Sequence, residues 1–311
     1  MTTLFRFSFD AMASENELQL YANDRAEGAR VAKLASDEVR RVERKFSRYR
    51  DDSLLTQINQ AAGLHAVPID TETAALLAYG DACFKKSNGL FDLTSGVLRR
   101  CWNFKEACLP DPKHLRATLT LVGWDKIHWS PSEIYLPTPG MQLDFGGIGK
   151  EYAADRAAAL CLNEGINHGL VNLAGDIRIL GAHPDGSPWR IGIKHPRQPG
   201  ATIASVNLTS GALATSGDYE RFFEIAGRRY SHILNAKTGY PVSELQAVSV
   251  TAPLCSVAGS LSTIAMLKGR KGPRFLRSEN VGFIAFDHDG NIKSNLGSMS
   301  GLRHHDEFSL L

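Results

Sequence analysis

The 311-residue chain lacks any close pair of cysteines. Its five, Cys83, Cys101, Cys108, Cys161 and Cys255, are odd in number, widely spaced and contain no CxxC. That excludes a disulfide framework or a zinc-type site and leaves reduced, mostly buried thiols. An excess of charge of one sign is missing too. The 35 Lys and Arg against 33 Asp and Glu leave a net charge of +2, so bulk electrostatics points to no nucleic-acid partner. No run is long and apolar enough to cross a membrane, and the N-terminus alternates like a strand without a signal-peptide core. The expectation is a cytoplasmic protein with no membrane partner. Internal repeats, low-complexity tracts and linkers are absent, so residues 1–311 read as one domain. The histidines are scattered, apart from His304 and His305.

What is present is ordinary for a soluble globular protein: 43% hydrophobic and 22% charged residues, in a chain long enough for a sizeable core. Phe5–Ala22 reads as two short strands separated by ASENE. Val31, Leu34, Val39, Val42 and Phe46 recur at helical spacing, predicting a helix over Glu27–Tyr49. Thr71–Ser87 predicts a second helix, with Asp70 or Thr71 to cap it and Gly89 beyond its end. LTLVGWDKIHWS and SEIYLP read as strands. Lys150 opens a helix over Tyr152–Asn163, and CSVAGSLSTIAMLKG predicts another ending at Gly269. GLVNLAGDIRILG, PWRIGIKHP, TIASVNLTSGALATSG and AVSVTAP read as strands. Hairpins are expected at Ala226-Gly227 and Asp289-Gly290. Strands outnumber helices and no strict βαβ order appears, which points to an α+β fold with mixed or antiparallel sheets and packed helices.

Three stretches carry chemistry. LDFGGIGKEYAADR, residues 143–156, places Asp144, clustered glycines and Lys150 at a strand-to-helix junction. Glycine permits close backbone approach, helix N-terminal amides attract anions, and lysine adds a point charge. The spacing is not GxxxxGK[ST], so this is no Walker loop, and a tight turn with a surface lysine fits it equally well. ATSGDYERF supplies Thr215, Ser216 and Asp218. YSHILNAKTG supplies His232, whose neutral imidazole can take a proton from a hydroxyl; a lone histidine in a strand is more often structural. Tyr49 can stack or simply pack, and Asp92 can cap a loop or touch a ligand.

Taken in order, FSRYRDDSLLTQIN, GLFDLTSGVL, LVGWDKI, LDFGGIGKEYAADRA, GLVNLAGDIRILG, ATSGDYERFF, RRYSHILNAKTGYPV and LSTIAML resemble the ApbE family of FAD:protein FMN transferases. The resemblance covers about Phe46 to Gly269. It implies an ApbE-like, T-fold-related architecture and an enzyme that binds FAD and a divalent metal, usually magnesium. Such an enzyme moves FMN to a threonine or serine hydroxyl of an acceptor flavoprotein and releases AMP. By the same resemblance, Met12, Tyr49, Leu90, Phe91, Asp92, Asp144, Lys150 and Ile233 contact the flavin nucleotide. The Gly147 carbonyl, Ser262 and Thr263 hold metal. His232 is the candidate base, and Asp218 the candidate to position acceptor or base. Alternatives are an FAD carrier or regulator and an FAD pyrophosphatase giving FMN and AMP. A homodimer is a further expectation, without a residue-level argument.

The sequence departs from the family at three places. The metal-binding aspartate of the pattern Ala-Asp-x-x-x-Thr is Gly259 here, which offers no carboxylate and predicts weaker magnesium binding. The residue after the lysine is Glu151 rather than glycine. Its carboxylate either replaces the missing charge or repels phosphate, and the sequence leaves both readings open. The Met-Gly-Thr near the N-terminus is Met12-Ala13-Ser14.

Overall fold

The structure, a computed structural model, describes residues 2–296; the His304-His305 pair lies outside them. Strands β1 (Thr3–Ala11) and β2 (Ser14–Ala22) form a hairpin that turns on Met12 and Ala13, at φ 54° and 58°. A two-residue turn with both φ positive matches the twist of its strands. The strands therefore run into the ASENE segment that was expected to separate them. Helix α1 (Arg25–Phe46) begins where Asp24 accepts the Glu27 amide, two residues before the expected start at Glu27, and ends three residues before the expected Tyr49. The short α2 (Leu54–Gln60), capped by Ser53, and β3 (Val67–Pro68) follow.

Helix α3 (Thr71–Ser87) has the expected bounds, with Asp70 capping its start and Asn88 closing it in the left-handed conformation. A 3₁₀ segment spans Leu93–Arg100. The stretch expected to be a strand through LTLVGWDKIHWS is mostly something else. It holds the end of α4 (Pro112–Leu119), a 3₁₀ turn at Trp124–Lys126, and only then β4 (His128–Trp129), which pairs with β5 (Glu133–Tyr135). Asp111 followed by Pro112 is a helix start, and it outweighs the β-branched residues downstream.

Helix α5 (Gly149–Asn163) leads to β6 (Gly169–Leu173) and β7 (Asp176–Gly181). Next come β8 (Trp189–Lys194), β9 (Thr202–Leu208) and β10 (Gly211–Gly217). The hairpin of β11 (Phe222–Ile225) and β12 (Arg228–Ser231) turns at Ala226-Gly227, as expected. Then follow β13 (Leu245–Ala252), α6 (Cys255–Lys268), α7 (Gly272–Ser278), β14 (Gly282–Asp287) and β15 (Ile292–Ser294).

The main sheet has the order β1-β2-β6-β7-β10-β13-β14-β15, every pair antiparallel, and it does not close into a barrel. Alternation along each strand gives the sheet two apolar faces. On β10, Ala212 and Ala214 face the large core beneath α1, α5 and α6, while Leu213 faces a second core with Trp189, Ile191 and Val206 of the β8–β9 ribbon. Helix α6 is buried on nearly every side, so it runs through the interior rather than over it. Asp176 and Ser216 lie on the face that α5 and α6 cover.

Candidate functional site

Two side chains fix how α5 meets α6. Asp155 of α5 accepts the Cys255 amide at 2.8 Å and the Ser256 amide at 2.9 Å, so a carboxylate from one helix caps the N-terminus of the other. Arg178 of β7 approaches the same carboxylate at 3.3 Å. One turn earlier on α5 lies Glu151, and one turn later on α6 lies Gly259. The two are in contact: a Cβ on Gly259 would stand 2.7 Å from Glu151 Oε1 and 2.8 Å from Cδ. The helices thus run antiparallel in a register set by the cap.

Alternation along the strands adds the floor of the site. Asp176 begins β7 on the helix side, and its carboxylate pairs with Lys150 Nζ at 2.7 Å. Ser216 of β10, on the same side, shares hydroxyl hydrogen bonds with Ser262 at 2.7 Å and Thr263 at 2.9 Å. Ser262 also donates to the Gly259 carbonyl. Glu151 and Asp176 are both buried, at 8% and 4% exposure, against one ammonium. Burial, reinforced for Glu151 by the charge of Asp176, pushes both carboxyls up. Burial alone would lower Lys150, but Asp176 and Glu151 outweigh it and hold the ammonium charged. Glu151 Oε2 has no hydrogen-bond partner.

Above this floor the charge is positive. Arg48 donates to Asp144 at 2.9 Å, and its guanidinium lies 4.7 Å from the centre of the Tyr49 ring. Arg99 stands 3.8 Å from Asp144. Tyr49 is 74% exposed. Burial raises its phenol, but the hydrogen bond from Arg48 and the charges of Arg48, Arg99 and Arg221 prevail and lower it. His232 is pushed down to about 4 by burial, then by Arg99 and Arg221, with Lys150 adding to them. Its Nδ1 is buried and unpartnered. His232 therefore stays a neutral imidazole amid cations, unprotonated at neutral pH but a weaker base than a free histidine.

The remaining residues expected at a flavin site sit as follows. The Met12 amide donates to Glu43 at 2.7 Å. Asp92 is buried and spent on structure: it caps the 3₁₀ segment through the Thr94 amide and hydroxyl and accepts the Trp124 amide at 3.0 Å. The loop holding Asp92 and the segment after the buried Ile233 line a cleft of about 380 Å³ with Gly89, Ala236 and Lys237. Leu90 is half-buried beside that loop. Phe91 is buried, and a Cβ on Gly147 would meet its ring at 2.9 Å. Gly147 is thus needed for room, not for a positive φ. The Gly146 amide is already taken by Asp144 at 2.8 Å, so it is not a free phosphate donor. Asp218 makes a two-pronged pair with Arg197 at 2.7 and 2.8 Å and lies 3.5 Å from Arg229. The structure commits that carboxylate to arginines and gives it no hydrogen bond to His232.

Sequence reasoning missed Arg48, Arg99, Arg221 and Asp176. Three sit inside quoted motifs, Arg48 next to Tyr49, Arg221 after GDYE and Asp176 after NLAG, and Arg99 lies one residue past GLFDLTSGVL.

A family model described as the ApbE family matches residues 10–285. The chain belongs to the ApbE family. A Treponema pallidum protein named FAD:protein FMN transferase is 34% identical over 279 residues, which span 83% of this chain and 77% of its own length. A Klebsiella pneumoniae protein of the same name is 33% identical over 253 residues, spanning 79% of this chain and 77% of its own. The crystal structure of an ApbE protein from Thermotoga maritima superposes with a TM-score of 0.87 at 29% identity, covering 94% of this chain and 97% of that one. An apo flavinyl transferase ApbE from Pseudomonas stutzeri gives 0.83 at 27% identity, over 94% and 95% of the two chains.

A metal of the kind expected for an ApbE protein must be judged on the donors present. Among the described residues no three His, Cys, Asp or Glu side chains converge on one point. The donors at the α5–α6 contact are all hard oxygens: the orphaned Glu151 Oε2 and the hydroxyls of Ser216, Ser262 and Thr263. Such a set suits magnesium and not a soft metal.

Proposed function

We propose that the chain is an FAD:protein FMN transferase, moving the FMN half of FAD to a threonine or serine hydroxyl of an acceptor flavoprotein. The observation that carries this reading is the convergence of Arg99, Arg221 and Lys150 around a neutral His232, with Arg48 beside Tyr49 and Asp144, within an ApbE fold. A dinucleotide pyrophosphate is doubly negative, and its cleavage concentrates further charge on phosphoryl oxygens. Fixed guanidinium and ammonium groups stabilise that charge. Tyr49, exposed and backed by Arg48, offers a face on which a flat ring can stack.

In the reaction, the acceptor hydroxyl oxygen forms a bond to the phosphorus of the FMN half. The bond from that phosphorus to the bridging oxygen breaks, and AMP leaves with the bridging oxygen and the bonding electron pair. The hydroxyl proton passes to the neutral imidazole of His232 and then to solvent. Lys150 is held in place by Asp176 beside the phosphates. The Gly147 carbonyl, Ser262 and Thr263 would hold magnesium, which when bound polarises phosphoryl oxygens and steadies the leaving AMP.

The test mixes the protein with FAD, magnesium and a flavinylatable acceptor. Covalent flavin fluorescence on the acceptor is the expected result. Free FMN without labelled acceptor would make the protein a pyrophosphatase, and FAD bound without either product a carrier. The expected cost of His232→Ala is a loss of about 10²–10⁴-fold in transfer, with FAD affinity nearly kept; full transfer would remove the base assignment.

A further inference from the structure

We infer that Glu151 is the carboxylate ligand of the metal, moved from α6 to α5, and that Gly259 is the space it requires. The inference rests on the transferase reading for its biological use, but its evidence is separate. The atoms a Cβ at Gly259 would meet first belong to the Glu151 carboxylate arm, with Oε1 at 2.7 Å and Cδ at 2.8 Å. The acid thus occupies the place where a side chain on Gly259 would begin. The two departures are one exchange, since a side chain at 259 and the present course of Glu151 exclude each other.

The second observation is the state of that carboxylate. Glu151 is 8% exposed and its Oε2 has no partner. A buried carboxylate oxygen left without a hydrogen bond or cation is costly, the more so when the group is charged. Lys150 is engaged by Asp176 at 2.7 Å. The pocket therefore holds two buried carboxyls against one ammonium, and the carboxyl oxygen without a hydrogen bond lies one helical turn from Ser262 and Thr263. The register set by Asp155 with Cys255 and Ser256 brings Glu151 to Gly259. Carried one turn further along α6, the same spacing points at Thr263, while Gly147 lies just before the start of α5 at Gly149. A divalent cation of the magnesium class supplies the missing charge and accepts oxygen donors from both helices.

The test is Mn²⁺ binding, followed by electron paramagnetic resonance with and without FAD. It uses the whole chain and three variants: Glu151→Gln, Glu151→Gly, and Glu151→Gly combined with Gly259→Asp. The glutamine keeps the shape and removes the charge. Circular dichroism melting checks that each is folded. The expected result is at least a tenfold weaker Mn²⁺ affinity in E151Q and E151G, and recovery to within a few-fold of wild type in the double variant. Wild-type protein that binds no Mn²⁺ under either condition overturns the inference. So does E151Q binding within twofold of wild type, as it would if Glu151 were a neutral acid packed for shape. A folded double variant no better than E151G overturns it as well. Acceptor labelling by wild type is scored separately: lost labelling with Glu151-dependent Mn²⁺ binding sinks only the transferase reading.

Discussion

At the scale of single residues, two positions carry measurable consequences. Ala13 sits at φ 58°, where a Cβ crowds the following carbonyl. Ala13→Gly is expected to stabilise the protein by about 1 kcal/mol, because glycine reaches this region without the steric penalty. A urea midpoint that falls or stays put would show that Ala13 is not strained. His232 carries a pH consequence. Its folded value is about 4, against about 6.5 for a free histidine. Between those values the unfolded chain binds a proton that the native protein refuses, so stability rises with pH across that window and is lost on acidification from 6.5 through 4. For the same reason the acid limb of the transfer rate that belongs to His232 is expected well below pH 6.5. An NMR titration of His232 with a midpoint near 6.5 would contradict both statements.

At the scale of elements, the α5–α6 pair is where the site is built. Asp155 spans two amides of α6, and an asparagine keeps only one accepting oxygen there. Asp155→Asn is expected to cost about 2 kcal/mol, since hydrogen bonds to a charged acceptor contribute about 1.5–3 kcal/mol. Urea denaturation measures it, and a change below about 0.5 kcal/mol would mean the cap does not hold the helices in register. Local signals made much of this legible beforehand. Asp70 and Asn88 bound α3 through cap chemistry that is written in the residues themselves. The apolar period of α1 was equally plain, although its start belonged to Asp24, outside the period. The 3₁₀ segment from Leu93 to Arg100 was not foreseen, because its tie is tertiary: Asp92 reaches the Trp124 amide 32 residues away. The site divides the same way. Lys150, His232 and Tyr49 stood out by residue type, whereas the meeting of Glu151 with Gly259 depends on helix register across 108 residues, 259 minus 151. Sequence left Glu151 open between a replacement charge and a repulsive one because no local pattern reports what faces a side chain.

At the scale of the whole molecule, one antiparallel sheet separates two tasks. Its helix-covered face carries Asp176, Ser216 and the α5–α6 contact, while its other face is closed by the β8–β9 ribbon. Trp189 is the largest side chain of that ribbon's core. It is buried, donates its indole N–H to the Gly181 carbonyl at 2.9 Å, and lies with its ring 3.9 Å from that of His183. Trp189→Ala would open a cavity and strand the carbonyl, so a loss of about 3–5 kcal/mol is expected. Trp189 packs in the core on the face of the sheet opposite α5, which carries Lys150 and Glu151. FAD affinity and transfer rate should therefore match wild type at temperatures where the variant is folded. Denaturant midpoints and flavin fluorescence titration read the two effects independently. If FAD affinity fell tenfold in folded Trp189→Ala protein, the two faces would be mechanically coupled through the sheet, and the ribbon would be part of the site rather than its support.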